Sequence, residues 1–277
     1  MKTEADVEAS PLGRAATYAD HYDPCLLFAV ERAPQRASLG LAAALPFRGA
    51  DVWTAYEASW LDGDGKPEIA IVTFVVPADS PRLLESKSVK LYLASLNQER
   101  FAEAPAVGAA IARDLSTATG STVAVTLTRP ADFDELRRAE LAGESIDDQA
   151  VGGERGELSP ESLSAAAGPA VAEVLRTDLF RSVCPVTGQP DYASVQLAYR
   201  GARIDRAGLL AYLVSFRRHP GFHEHCVERI FTDLWRRCRP QSLSVYARFT
   251  RRGGIDINPY RTSGIESPPP NARTARQ

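Results

Sequence analysis

A repeated order of elements limits most strongly how this chain can fold. In the first half, residues 51–61 and 69–76 are rich in aromatic and β-branched side chains. Asp62-Gly63-Asp64-Gly65-Lys66 separates them as a hairpin-type turn. The period then becomes helical, with Val89, Tyr92, Leu93 and Leu96 at i, i+3, i+4 and i+7. A second helix is expected over 107–117, ending near Gly120, and Val123, Val125 and Leu127 alternate as a strand. The second half repeats this order. Strands are expected at 178–183 and 192–200, a helix at 209–216, another starting at Pro220, and a strand at 242–250. The first helices of the two halves share a local text, Leu91-Tyr92-Leu93-Ala94-Ser95-Leu96 against Ala211-Tyr212-Leu213-Val214-Ser215-Phe216. The pattern predicts an α+β chain with two copies of a strand–strand–helix–helix–strand unit.

The segments around these units divide the chain further. Residues 1–22 form a polar N-terminal arm, 23–138 the first module, 139–170 a linker, 171–261 the second module, and 262–277 a tail. The linker is acidic and turn-rich, and the tail carries Pro268-Pro269-Pro270, so disorder is expected there. The 277 residues carry a net charge of −3, so no global basic field draws in nucleic acid. Cys25, Cys184, Cys226 and Cys238 form no CxxC pair, which fits thiols in a reducing compartment. Residues 1–10 have no apolar run of the signal-peptide kind. No apolar stretch approaches the ~20 residues of a membrane span. A cytoplasmic protein is expected, with no membrane or direct nucleic-acid partner.

Cys184-Pro185-Val186-Thr187-Gly188-Gln189-Pro190-Asp191 joins two expected strands. A stiff loop of this kind can aim a thiol and a carboxyl group at one point. Thiol chemistry needs a thiolate and a group to handle the proton, and Cys184 and Asp191 could supply both. Cysteine is also among the most buried residue types, so the residues alone favour a structural reading. His219, His223, His225 and Cys226 cluster near a helix start, but Pro220 keeps His219 and His223 off a common helix. The spacing argues against a metal. His223 shares the inward face with Val227, either as a core residue or as a donor to a ligand, and spacing does not choose. His225 turns away from that face. Glu85-Ser86-Lys87-Ser88 opens the first-half helix, with Glu85 favoured by the helix dipole and Ser86 a possible cap. Lys87 and Lys90 there, and Arg251-Arg252-Gly253-Gly254 after a strand, would suit a phosphate; either can equally be solvated surface. No GxGxxG follows a strand, so a Rossmann site is not supported.

These motifs together resemble the NADPH-dependent nitrile reductases of queuosine biosynthesis, the QueF family. Glu85-Ser86-Lys87-Ser88-Val89-Lys90-Leu91-Tyr92 is similar to the family signature, and the 184–191 loop to its catalytic loop. Phe222-His223-Glu224 and Arg251-Arg252-Gly253-Gly254-Ile255-Asp256-Ile257-Asn258-Pro259 match as well. The resemblance runs from about residue 22 to 261 and takes the two-module form. It implies tandem tunnelling-fold modules, each an antiparallel sheet with two helices on one face. It further implies reduction of 7-cyano-7-deazaguanine to 7-aminomethyl-7-deazaguanine through a thioimide, for tRNA modification. Cys184 would be the nucleophile and Asp191 the proton donor. Leu84, Glu85, Ser86, His223 and Glu224 would contact the substrate; Ser86, Lys87, Arg252 and Gly253 would contact NADPH; no metal is implied. A homodimer is expected. The competing readings are a cyclohydrolase or pterin-type enzyme on the same fold, and a non-catalytic purine-binding module.

Overall fold

A computed structural model of the chain describes residues 19, 21–41, 44–151, 157–265 and 268–277. The N-terminal arm expected over 1–22 lies mostly outside the described residues, as do 152–156 of the expected linker and 266–267 of the tail. The chain divides into two compact units. One holds residues 1–40, 51–137 and 251–257; the other holds 41–50, 138–250 and 258–277. The sequence boundaries differ from this at 41–50 and 251–257, whose local patterns do not reveal their distant packing.

The first unit contains β1 (Ala29–Glu31), α1 (Ala33–Ser38), most of β2 (Arg48–Leu61), β3 (Pro67–Pro77), β4 (Arg82–Leu84), α2 (Ser86–Ser95), α3 (Ala104–Thr119) and β5 (Ala124–Thr128). Its sheet runs in the order β5-β3-β2, and β1 pairs separately with β4. The β2–β3 turn closes through Asp62 N–H on the Lys66 carbonyl, with Gly65 at φ 88°. Trp53, Trp60, Val72 and Phe74 of the sheet pack with Val89 and Tyr92 of α2 and with Ile111 and Leu115 of α3. Burial of such faces, at about 25 cal/mol per Å² of apolar surface, is what holds a sheet and its helices together. Gly120 ends α3 in the left-handed region at φ 73°, donating to the Ser116 carbonyl.

The second unit contains β6 (Glu144–Ser145), β7 (Val171–Val183), β8 (Pro190–Gly201), α4 (Arg206–Ser215), α5 (His223–Cys238), β9 (Ser242–Phe249) and most of β10 (Ile255–Thr262). Its sheet order is β10-β9-β8-β7-β6. β7 and β8 pair antiparallel along their whole length, with an irregularity between Thr177 and Phe180. One face of these strands, through Phe180, Val195, Leu197, Val245 and Phe249, packs with α4 and α5. The α5 face made by Val227, Ile230, Phe231, Leu234 and Cys238 is buried throughout. The architecture is therefore α+β, with mainly antiparallel sheets, only the short β6 pairing in parallel with β7, and two principal helices in each unit.

The repeat extends to side-chain contacts. Tyr92 of α2 donates to Asp114 of α3 at 2.7 Å, and Tyr212 of α4 donates to Asp233 of α5 at 2.6 Å. Ser95 and Ser215 each donate back to the carbonyl of the tyrosine in their own helix.

Four expectations are corrected. α5 begins at His223, not Pro220, because residues 219–221 are held extended: Val183 N–H donates to the His219 carbonyl and Gly221 N–H to the Val183 carbonyl. β10 was not foreseen as a strand, although every residue in it is buried. The supposed linker belongs to the second unit, with Ile146 and Leu163 in its core. Its acidic composition hid those two apolar anchors. Finally, the tail is not disordered over its described length: Thr274 and Gln277 are buried.

Candidate active site

The hairpin of β7 and β8 sets the geometry of the thiol loop. Val183 stands opposite Pro190 and Ser182 opposite Asp191, so the loop spans residues 184–189. Cys184 N–H donates to the Gln189 carbonyl at 2.8 Å, and Gly188 N–H donates to the Cys184 carbonyl at 3.0 Å. The second bond needs the chain to turn sharply, and Gly188 supplies φ 67°. Cys184 and Asp191, at the two ends of this clamped loop, are both buried.

His223, the first residue of α5, completes the group. Its Nε2 lies 3.6 Å from Asp191 Oδ2. The imidazole lies flat on Phe249, with ring centroids 3.8 Å apart and planes at 7°. Its Nδ1 is buried without a hydrogen-bond partner in the structure, so it can receive or donate one bond to an incoming molecule. Glu224 follows on the helix and is buried. Phe249 falls in the strand expected over 242–250, but its role as a platform for His223 is not encoded in any spacing.

The other two thiols of this unit are held protonated. Burial pushes Cys226 up to about 12 and Cys238 up to about 11. Burial, aided by the Arg229 charge, lowers His219 and His225 to about 4, which keeps both imidazoles neutral near pH 7. His225 is thus more enclosed than its expected outward orientation suggested.

The first unit carries the second group. Glu85, not Ser86, is the N-cap of α2: its carboxylate accepts from Lys87 N–H at 2.7 Å and from Ser88 N–H at 2.8 Å. A carboxylate at this position meets the positive end of the helix. It also occupies backbone donors that a phosphate would otherwise use, so an anion here must be met by side chains. Glu85 is fully buried, and burial raises its pKa despite these bonds. Each oxygen keeps a lone-pair direction for another donor. Leu84, at the end of β4, is buried beside it.

The Arg251-Arg252-Gly253-Gly254 turn belongs to the same unit. Arg252 N–H donates to the Ile255 carbonyl, with Gly253 at φ 59° and Gly254 at φ 77°. A side chain on Gly253 would begin 3.2 Å from Lys90 Nζ. Arg251 lies over the Tyr56 ring at 4.9 Å. Bare backbone beside an ammonium group, with two arginines just before it in the chain, fits the phosphate groups of a dinucleotide.

Two family descriptions match the chain. Residues 18–127 match "Nitrile reductase, 7-cyano-7-deazaguanine-reductase N-term", and residues 190–267 match "QueF-like protein". An NADPH-dependent 7-cyano-7-deazaguanine reductase of Burkholderia vietnamiensis (strain G4 / LMG 22486) is 56% identical over 271 residues, covering 98% of this chain and 99% of the relative. The protein of the same description from Burkholderia pseudomallei (strain 1106a) has the same identity and coverage. The chain belongs to the QueF nitrile reductase family.

The positions that resemble QueF motifs fall into the two groups just described. Cys184, Asp191, His223 and Glu224 lie in one unit; Leu84, Glu85, Ser86, Lys87, Arg252 and Gly253 lie in the other. Among the described residues, no group of three or more side chains could hold a metal ion, and no helix is long and apolar enough to cross a membrane.

Proposed function

We propose that this chain reduces the nitrile of 7-cyano-7-deazaguanine to the aminomethyl group of 7-aminomethyl-7-deazaguanine, with NADPH as reductant, as a step toward queuosine in tRNA. The observation that carries this reading is the clamped loop, which holds a thiol and a carboxyl group at its two ends, in a chain matched along 98% of its length by reductases of that name.

The residues divide the work by chemical type. The Cys184 thiolate adds to the electrophilic nitrile carbon and forms a C–S bond, giving a thioimide once the nitrogen is protonated. Asp191 delivers that proton as charge develops on nitrogen. NADPH, when bound, supplies one hydride for each of two successive reductions. Between them Cys184 leaves as thiolate, so the enzyme is regenerated and the sum is nitrile plus two NADPH plus two protons. Leu84, Glu85, Ser86, His223 and Glu224 hold the heterocycle, Glu85 accepting from the N–H and amino donors of its guanine-like edge. Ser86, Lys87, Arg252 and Gly253 hold the dinucleotide. We further propose a homodimer in the cytoplasm, to which the exposed Val174, Leu179 and Tyr192 on the helix-free face of β7 and β8 would contribute apolar surface.

The test mixes the protein with 7-cyano-7-deazaguanine and NADPH and follows NADPH absorbance against product. Two NADPH per amine is expected. One NADPH per substrate, with an imine or aldehyde released, would overturn complete reduction at one site.

A further inference from the structure

Gln277 lies far in sequence from the Cys184–Asp191 loop, in a segment whose composition suggested disorder. It is 6% exposed, and its amide is fully committed. Nε2 donates to the Phe249 carbonyl at 2.8 Å and to Asn258 Oδ1 at 2.7 Å. Oε1 accepts from Arg248 Nε at 2.8 Å and from Thr274 N–H at 3.2 Å. Two donors and two lone pairs are all that such an amide offers. Its orientation is unambiguous, because Arg248 Nε and Thr274 N–H can only donate and the Phe249 carbonyl can only accept.

The same segment also reaches Arg248 of β9 through a second side chain and Asp178 of β7. Asn271 Oδ1 accepts from Arg248 Nη1 at 2.6 Å, so two of its side chains serve one buried guanidinium. Arg276 Nη1 donates to the Asp178 carbonyl at 2.6 Å, at the irregularity of β7. Prolines at 268–270 lower the entropy lost when this stretch is ordered.

Phe249 is the ring on which His223 lies, and His223 Nε2 faces Asp191. The next residue, Thr250, donates to the carbonyl of Tyr192, beside Asp191. We propose that residues 268–277 are a positioning strap for the catalytic hairpin, and that Gln277 is its key residue: by fixing the Phe249 backbone it sets where the His223 ring stands relative to Asp191. This rests on the reductase reading, since it concerns the proton-handling side of that site. Displacements near 1 Å can cost about a hundredfold in rate, so a strap that fixes a ring platform has kinetic leverage.

The experiment compares Gln277→Glu and Gln277→Ala with the unsubstituted chain. Gln277→Glu retains acceptors for Arg248 and Thr274 but, ionised, cannot donate to Phe249 or Asn258. It keeps an acceptor on the buried guanidinium, whose other partners, Tyr246 and Asn271, are uncharged, and is the variant expected to fold. Substrate is added without NADPH and the rate of covalent adduct formation at Cys184 is read by intact mass, beside kcat and the KM for NADPH. The proposal expects adduct formation and kcat to fall together by about tenfold or more, with the KM for NADPH unchanged. Adduct formation and kcat at the wild-type rate in Gln277→Glu, whatever its melting temperature, would overturn the strap. A parallel loss of NADPH affinity would also overturn it, because it would mean general loosening of the chain. An unsubstituted protein that forms no adduct and consumes no NADPH would instead sink the reductase reading.

Discussion

His223 Nε2 stands 3.6 Å from the Asp191 carboxylate, too long for a hydrogen bond yet close enough for charge to be felt. The imidazole is pinned flat by Phe249, so the separation is set by packing and not by the pair itself. The ring so fixed is the one proposed to contact the substrate.

Replacing Asp191 by Asn keeps the shape of the site and removes its proton. The expected loss in kcat is about 10²- to 10⁴-fold, the usual range for a general acid. Adduct formation should slow without vanishing, since the nucleophile remains. His223→Ala should raise the KM for substrate and slow adduct formation. Single-turnover mass spectrometry separates these effects, and a fully active Asp191→Asn enzyme would remove Asp191 from the mechanism.

For the dinucleotide, Lys87 and Arg252 are proposed to meet the 2′-phosphate by charge-assisted contact. NADH should accordingly be much the poorer donor. Arg252→Ala should raise the KM for NADPH by about tenfold, the equivalent of one charge-assisted bond of roughly 1.5 kcal/mol, and leave the KM for NADH little changed. Equal use of both cofactors by the unsubstituted protein would refute the assignment.

Glu85 gives the pH dependence. Burial raises its pKa above the ordinary 4.5, so on acidification it takes up a proton earlier than an exposed glutamate does. In the proposed binding mode, the ionised form is the one that would accept the substrate's donors. The KM for substrate should therefore be constant near neutrality and rise as pH falls through a value above 4.5. In Glu85→Gln that acidic limb should disappear and KM should be high throughout. A KM that stays flat into the acid range in the unsubstituted protein would show that Glu85 does not meet the substrate in its ionised form.

The parts of the molecule that were legible in the sequence are those governed by period and local text. Tyr92 and Tyr212 occupy the same place in the repeated helix text, and their matching bonds to Asp114 and Asp233 show that the repeat is structural. The Gly120 stop and the Asp62–Lys66 turn were equally plain, because local backbone chemistry dictates them. What was hidden depends on distant partners. Nothing near Glu85 says that it, and not Ser86, caps α2, since its placement depends on β4 entering beside β1. The polar, proline-bearing tail gives no apolar signal, and only the buried Arg248 and Asn258 reveal why Gln277 is anchored.

His219 and His225 make a stability prediction with a definite sign. Burial holds both near 4 in the folded chain, below the ordinary 6.5. In the unfolded chain they take up protons first, so protonation favours unfolding. Their contribution is fully present above 6.5 and is lost as pH falls from there toward 4. The melting temperature should drop over that interval, and a His219→Gln/His225→Gln variant should show a shallower drop. An identical pH profile in the double variant would show that these imidazoles are not held neutral by the fold.

The four cysteines allow the covalent step to be tested with internal controls. Cys226 and Cys238 are buried and pushed up to about 12 and about 11, so neither holds an appreciable thiolate population near pH 7. Cys25 is exposed, in a turn capped by Asp23, and would react first with any unselective electrophile. Cys184 is buried, yet it sits at the edge of a hydrogen-bonded loop with a carboxyl group at its far end. A nitrile adds to a thiolate with no leaving group, so the adduct should weigh protein plus one intact substrate. Cys184→Ala should abolish both adduct and turnover, while Cys25→Ala, Cys226→Ala and Cys238→Ala should retain both. Peptide mapping supplies the decision. A mass increase on the peptide that contains Cys184 supports the thioimide, and an adduct that survives Cys184→Ala or maps to Cys25 would make the 184–191 loop structural and return the search to the first unit.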